Sequence, residues 1–193
     1  MKKIMFNDKY CLTKAVLDGA KTMTRRSVPL SLLEKYDVWY EDFIYKPVGE
    51  EKYLSVEEYV SKRTAYKVGE VVAIAQSYHN LNKSGYTAPE WLDHVCESSA
   101  GYENKMFIRA DLMPHHIRIT DVKVERLRNI SEEDALREGV LKLASGFYYL
   151  PNGGGWAFST PRRAFAYLID KVSGKGTWES NPWVAAYSFE LVD

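Results

Sequence analysis

The sequence predicts one α+β domain spanning residues 1–193, built on a curved sheet or small β-barrel with flanking helices. Three observations predict it. Residues 117–127 alternate apolar and polar side chains with period two, as a half-buried strand does. Residues 71–75 form an uninterrupted apolar run of strand length with β-branching. The strand–helix–strand repetition that a doubly wound parallel sheet needs does not recur.

The elements follow in order. Cys11, Leu12, Ala15, Val16 and Leu17 predict a short helix over residues 10–18, and Gly19 supplies the left-handed residue that ends it. Residues 22–26 tolerate a strand, which Ser27-Val28-Pro29 breaks. Residues 30–65 read as an insertion containing Pro47-Val48-Gly49, with a helical turn or two over residues 56–62. Val68-Gly69-Glu70 leads into residues 71–75, expected as a central strand. Residues 79–104 read as a second insertion, a loop with one short helix begun by Pro89. Strands are expected over residues 106–109 and 117–127. Ser131 then offers a hydroxyl N-cap, with Glu132, Glu133 and Asp134 in the first helical turn and Gly139 as the stop. Residues 152–155 make a flexible loop tip. Pro161 opens a helix carrying Ala164, Phe165, Tyr167, Leu168 and Ile169, and residues 183–192 form the last strand. On this reading strands outnumber helices.

Composition narrows the function. The 26 Lys+Arg balance 26 Asp+Glu, which excludes a strongly basic nucleic-acid coat protein. The balance hides an acidic segment, residues 31–60 with net charge −5, in a chain otherwise carrying +5. Two cysteines, Cys11 and Cys96, make no disulfide framework. His94-x-Cys96 and His115-His116 lack a recognised ligand spacing, so no metal and no cofactor are expected. Gly153-Gly154-Gly155 has no following Lys-Ser/Thr, so it is not a phosphate-binding loop. The longest strongly apolar run falls far short of the roughly 20 residues that span a bilayer, and Asn7, Asp8 and Lys9 interrupt the signal-like start. No membrane partner and a cytoplasmic location are expected.

The densest polar cluster runs from Gly19 to Arg26, where a helix stop leads into hydroxyls and three cations. It suits anion or nucleotide binding, and equally a solvated loop. Lys21 can serve as a point charge or, desolvated, as a neutral base or nucleophile. A regular strand would put Lys21 and Thr24 on opposite faces, so their joint action requires Lys21 to lie in the turn before the strand. Glu138 falls at the end of a capped helix, where the dipole disfavours a carboxylate unless a cation sits beside it. A solvated pair with Arg137 or Lys142 is the alternative.

Gly19, Lys21, Thr24 and Arg26 match the Gly-x-Lys-x-x-Ser/Thr-x-Arg signature and resemble the ASCH domains of the PUA-like superfamily. The resemblance continues through residues 66–70, Thr120-Asp121-Val122, residues 126–139, Trp178 and Asn181-Pro182-Trp183, in an arrangement similar to phage and prophage ASCH proteins. It implies a PUA-like fold with a cleft for RNA or a modified nucleobase or nucleoside. Some small relatives are amidohydrolases acting on N4-acetylcytidine, and the resemblance places their Lys, Thr and Glu on Lys21, Thr24 and Glu138. Where phage-type relatives carry an Arg-Glu pair, this chain has Ala75 and Gln76. Gln76 can hydrogen-bond a base edge but cannot act as a carboxylate base. Arg25, Arg26 and Arg118, with Arg126 and Arg128, are candidates for substrate or single-stranded nucleic-acid binding. Tyr148, Tyr149, Trp156, Trp178 and Trp183 could stack on a base. A noncatalytic nucleic-acid-binding module and a protein-interaction module using the acidic segment are the rival classes.

Overall fold

The computed structural model describes residues 1–45, 52–83, 99–152 and 155–192. Seven strands are present among them: β1 (Lys3–Ile4), β2 (Met23–Ser27), β3 (Val71–Ile74), β4 (His116–Arg126), β5 (Leu141–Lys142), β6 (Tyr148–Tyr149) and β7 (Trp183–Leu191). Five of them form one mixed sheet in the order β1-β3-β4-β7-β2, and β5 pairs with β6 in a separate hairpin. Only β1 and β3 run parallel. Eight helices flank the sheet: α1 (Leu12–Leu17), α2 (Leu30–Tyr45), α3 (Val56–Ser61), α4 (Tyr78–Lys83), α5 (Ala100–Glu103), α6 (Glu132–Arg137), α7 (Pro161–Ser173) and α8 (Thr177–Ser180). The α+β class therefore stands, but the sheet is not closed into a barrel, and described strands do not outnumber described helices.

The open sheet is nevertheless rolled. Four inter-strand spacings would put the edges of a flat sheet roughly 19 Å apart, beyond any side chain's reach. Yet Arg26 on edge strand β2 donates from Nη2 to the carbonyl of Met5, the residue just after edge strand β1. A register shift between Ile119 and Asp121 interrupts the β4–β7 ladder. Such a bulge increases local twist and bends its strand.

Two packing layers cover the sheet. Ile4, Val72, Ile117, Ile119 and Tyr187 meet Leu12 and Val16 of α1 and Phe165 and Leu168 of α7 in the main core. Val28, Val60 and Val124 form a smaller cluster that seats α2 and α3 against β4 and β7, with Leu32, Leu33, Val56 and Trp183 around it. Tyr59 lies 5.3 Å from Tyr36 and 5.4 Å from Trp39, ring to ring.

Most local expectations match the observed elements, with instructive exceptions. Residues 30–45 are a 16-residue helix rather than moderately ordered insertion. Residues 106–109 do not form a strand. Asn104 accepts a hydrogen bond from the Met106 amide and caps a 3-10 turn over Lys105–Phe107, followed by a second over Ala110–Leu112, so side-chain capping wins over a four-residue apolar pattern. β3 is interior, though β4 holds the middle of the sheet. The β5–β6 hairpin and α8 were not expected. Pro47-Val48-Gly49, Pro89, His94, Cys96, Gly153 and Gly154 lie outside the described residues. No helix among the described residues is long and apolar enough to cross a membrane.

Candidate functional site

Lys21 and Glu138 are brought together by the ends of two short helices. Beyond α1, Gly19 takes φ +72°, and the Lys21 amide donates to the Ala15 carbonyl at 2.8 Å. The chain thus reverses before β2 begins, and Lys21 lies in the turn, the position that joint action with Thr24 demands. The Thr22 amide then donates to the Arg137 carbonyl at 2.9 Å, while the Thr22 carbonyl accepts from Phe189 at 2.9 Å. This stitches the lead into β2 to the last turn of α6.

At the other end of α6, Ser131 accepts from the Asp134 amide at 3.0 Å. Glu138 follows the helix as its C-cap, and Gly139 turns away at φ +98°, a conformation that favours glycine. A Cβ at Gly139 would sit 3.6 Å from the Lys21 stem, so the backbone there packs directly on that side chain.

The result is a buried ionic cluster. The Lys21 amine donates to the Glu138 carbonyl at 2.8 Å and to Glu138 Oε2 at 2.7 Å. It therefore satisfies a helix-end carbonyl and a carboxylate together. Arg25 Nη1 donates to the other Glu138 oxygen at 3.1 Å. Arg25 Nη2 reaches Glu125 at 2.7 Å and Asp134 at 3.0 Å, and Nε reaches Glu125 at 3.2 Å. The Lys21 and Arg25 side chains are 2% and 1% exposed.

Burial pushes the Lys21 amine below its ordinary 10.5; Glu138 pulls it part of the way back, and Arg26 and Arg25 oppose that pull. Burial would also lower the proton affinity of Arg25, but Glu138, Glu125 and Asp134 outweigh it and raise it, so the guanidinium stays charged.

Lys21, Thr24 and Glu138 line one cavity of about 220 Å³, together with Arg25, Arg26 and Ser27. Phe165, Leu168, Ile169 and Val172 of α7 line it as well, with Phe6 and Leu12. Lys21 Nζ and the Arg26 guanidinium lie 6.0 Å and 5.9 Å from the Phe6 ring centroid. The Phe6 carbonyl is itself held by the Lys105 amine, which also pairs with Asp8 at 2.9 Å. The lining thus combines charged and apolar side chains, which suits a flat heterocycle with a polar edge.

No family model matches the chain, and no curated protein matches it. A solved structure does. It is protein EF3133 from Enterococcus faecalis V583, of the family DUF984, 17% identical over 94% of this chain and 67% of that one, with a TM-score of 0.35. A likeness at that level says nothing of activity.

The remaining candidates lie elsewhere or behave differently. Arg25 does not face outward, as phosphate binding would require, because three carboxylates enclose its guanidinium. Arg26 lines the cavity and is tied to Met5. Gln76 is buried beyond the end of β3 and does not line the cavity; its Oε1 has no hydrogen-bond partner among the described residues. Arg118 is exposed on β4, 3.4 Å from Glu190. Arg126 packs over the Trp183 ring at 4.4 Å, Trp178 meets Phe165 at 6.3 Å, and Trp156 is exposed. Sequence reasoning missed Glu125 and Phe6, and took Asp134 only as a helix-start acid. The signal for Glu125 was an acid in the alternating β4 run, beside the apolar Val124.

Proposed function

We propose that the cavity binds a nucleobase and hydrolyses an amide on its exocyclic amine, with N4-acetylcytidine and related N4-acylcytidines as the substrate class. The observation that carries this reading is the convergence of a buried amine, hydroxyl and carboxylate on one cavity, with burial favouring the neutral amine. The ASCH resemblance of Gly19, Lys21, Thr24 and Arg26 supports the same reading, and a rolled sheet with flanking helices is a compatible frame for a PUA-like domain. The cavity is smaller than the roughly 300–1,000 Å³ of drug-sized sites. It suits a base and its small acyl group, with any ribose at the mouth.

In the proposed reaction Lys21 enters as the neutral amine, the form that its burial favours. Lys21 takes a proton from water, and the hydroxide adds to the acyl carbonyl. Thr24 donates a hydrogen bond to the developing oxyanion. Lys21 returns that proton to N4 by way of the Glu138 carboxylate as the carbon–nitrogen bond breaks, releasing cytidine and the carboxylic acid and restoring the neutral amine.

The test is incubation with N4-acetylcytidine and chromatographic detection of cytidine. Wild type is expected to turn over, and Lys21→Ala to lose turnover while keeping its circular dichroism spectrum, because Arg25 still compensates Glu138. Full turnover by Lys21→Ala would exclude the mechanism. The rival nucleic-acid-binding reading is weakened by the enclosure of Arg25, one of the cations it needs.

A further inference from the structure

The proposed chemistry uses Lys21, Thr24 and Glu138, and leaves unexplained why a second buried cation touches the same carboxylate. Burying an arginine among three acids is costly unless each hydrogen bond is made, and such clusters are often replaceable by apolar side chains. The wiring of this one is specific. Each of the three acids has a second cation of its own: Lys21 for Glu138 at 2.7 Å, Lys123 for Glu125 at 2.7 Å, and Arg137 for Asp134 at 3.5 Å. Arg25 is the shared member, and it meets Glu138 through Nη1 while Nη2 and Nε engage Glu125 and Asp134.

We propose that Arg25 is the positioning residue of this centre: its fork holds one Glu138 oxygen so that the other faces the Lys21 amine, and its charge sets how much of the Glu138 charge that amine meets. The geometry bears this out on both carboxylate oxygens, since Oε1 is held by Arg25 and Oε2 by Lys21. Without Arg25 the Glu138 carboxylate could rotate, and Lys21 would be the one cation left on it within ion-pair distance among the described residues. The amine would then face an undivided negative charge, with Glu125 and Asp134 less compensated behind it.

The ionisable side chains lining the cavity are Lys21, Arg25 and Arg26 from the β2 segment and Glu138 from the end of α6. α1 and α7 contribute only uncharged groups to its wall. Arg25 therefore acts on Lys21 in two ways with the same sign, by direct repulsion and by sharing Glu138. Removing it should make Lys21 hold its proton more tightly. Asp134→Asn should do the opposite. It strips a neutralising acid from Arg25, leaving the guanidinium more strongly committed to Glu138, and Asp134 is partly exposed while its helix cap runs through its backbone amide, so the substitution is tolerable.

This inference deepens the proposed function and rests on it for its catalytic meaning, but its test does not need turnover. The Lys21 side chain is titrated by carbon-13 NMR of lysine-labelled full-length protein, with Lys21→Ala assigning the resonance. Arg25→Met is expected to move the Lys21 midpoint up by roughly one pH unit, a tenfold fall in neutral amine at any pH below it. Asp134→Asn is expected to move it down. A structural staple alone would lower melting temperatures and leave the Lys21 midpoint in place, and that result in a folded Arg25→Met overturns the proposal. If Arg25→Met does not fold, Asp134→Asn decides: an unchanged or raised midpoint overturns it. Wild type that fails to hydrolyse N4-acetylcytidine while both shifts appear sinks the catalytic reading and leaves the positioning role intact.

Discussion

At the scale of single residues, the site turns on one amine. Lys21 lies where burial opposes its positive charge, so its proton affinity is lowered from 10.5 on folding. The folded chain then binds fewer protons than the unfolded chain in the window between the lowered value and 10.5. Stability therefore rises with pH across that window, and the penalty of the buried cation is largest below it. Urea unfolding of wild type and Lys21→Met at a series of pH values isolates this contribution: the difference is expected to grow in favour of wild type as pH rises toward 10.5. A difference that is flat, or that falls, would mean that Glu138 compensates the amine fully. The same displacement predicts that a rate that needs the neutral Lys21 amine rises with pH and reaches its plateau below the ordinary lysine range.

At the scale of elements, α7 lines the cavity with apolar side chains and is held by the main core through Ala164, Phe165 and Leu168. Leu168→Ala is expected to destabilise the protein by about 2–5 kcal/mol, measured by denaturant unfolding. It should also weaken binding of a flat base, because that lining recedes. This helix was legible in the sequence: Pro161 marks its start, and its apolar positions recur at helical spacing. So were α1 from its apolar positions and glycine stop, α6 from its capping hydroxyl and glycine stop, β3 from its β-branched apolar run, β4 from its alternation, and β7 as the run after Pro182. α2 was not, because Tyr36, Trp39, Tyr40 and Phe43 are interleaved with Glu34, Asp37, Glu41 and Asp42, and its aromatic face finds its partner in Tyr59 of α3. The site was legible as residue types and not as wiring. Nothing local to Lys21 or Glu138 announces the Thr22–Arg137 hydrogen bond that joins their segments. Arg25 looks like its neighbour Arg26 in the sequence, and only the fold turns one into the carboxylates and the other onto the Met5 carbonyl.

At the scale of the whole molecule, charge is distributed so that the site does not depend on a basic surface. The buried cluster pairs its cations with acids, and Arg118 lies opposite Glu190 on the exposed sheet. Binding of N4-acetylcytidine, an uncharged nucleoside, is therefore expected to change little with ionic strength in a fluorescence or calorimetric titration. A phosphate-binding surface would instead lose affinity steeply with salt, and such a loss for the nucleoside itself would argue against recognition in the cavity. The rolled sheet adds a property of its own. Arg26 spans the gap between the outermost strands as a clasp, where a closed barrel would have a continuous ladder of amides. Parting the outermost strands thus demands the release of a side-chain tether and no rupture of strand pairing.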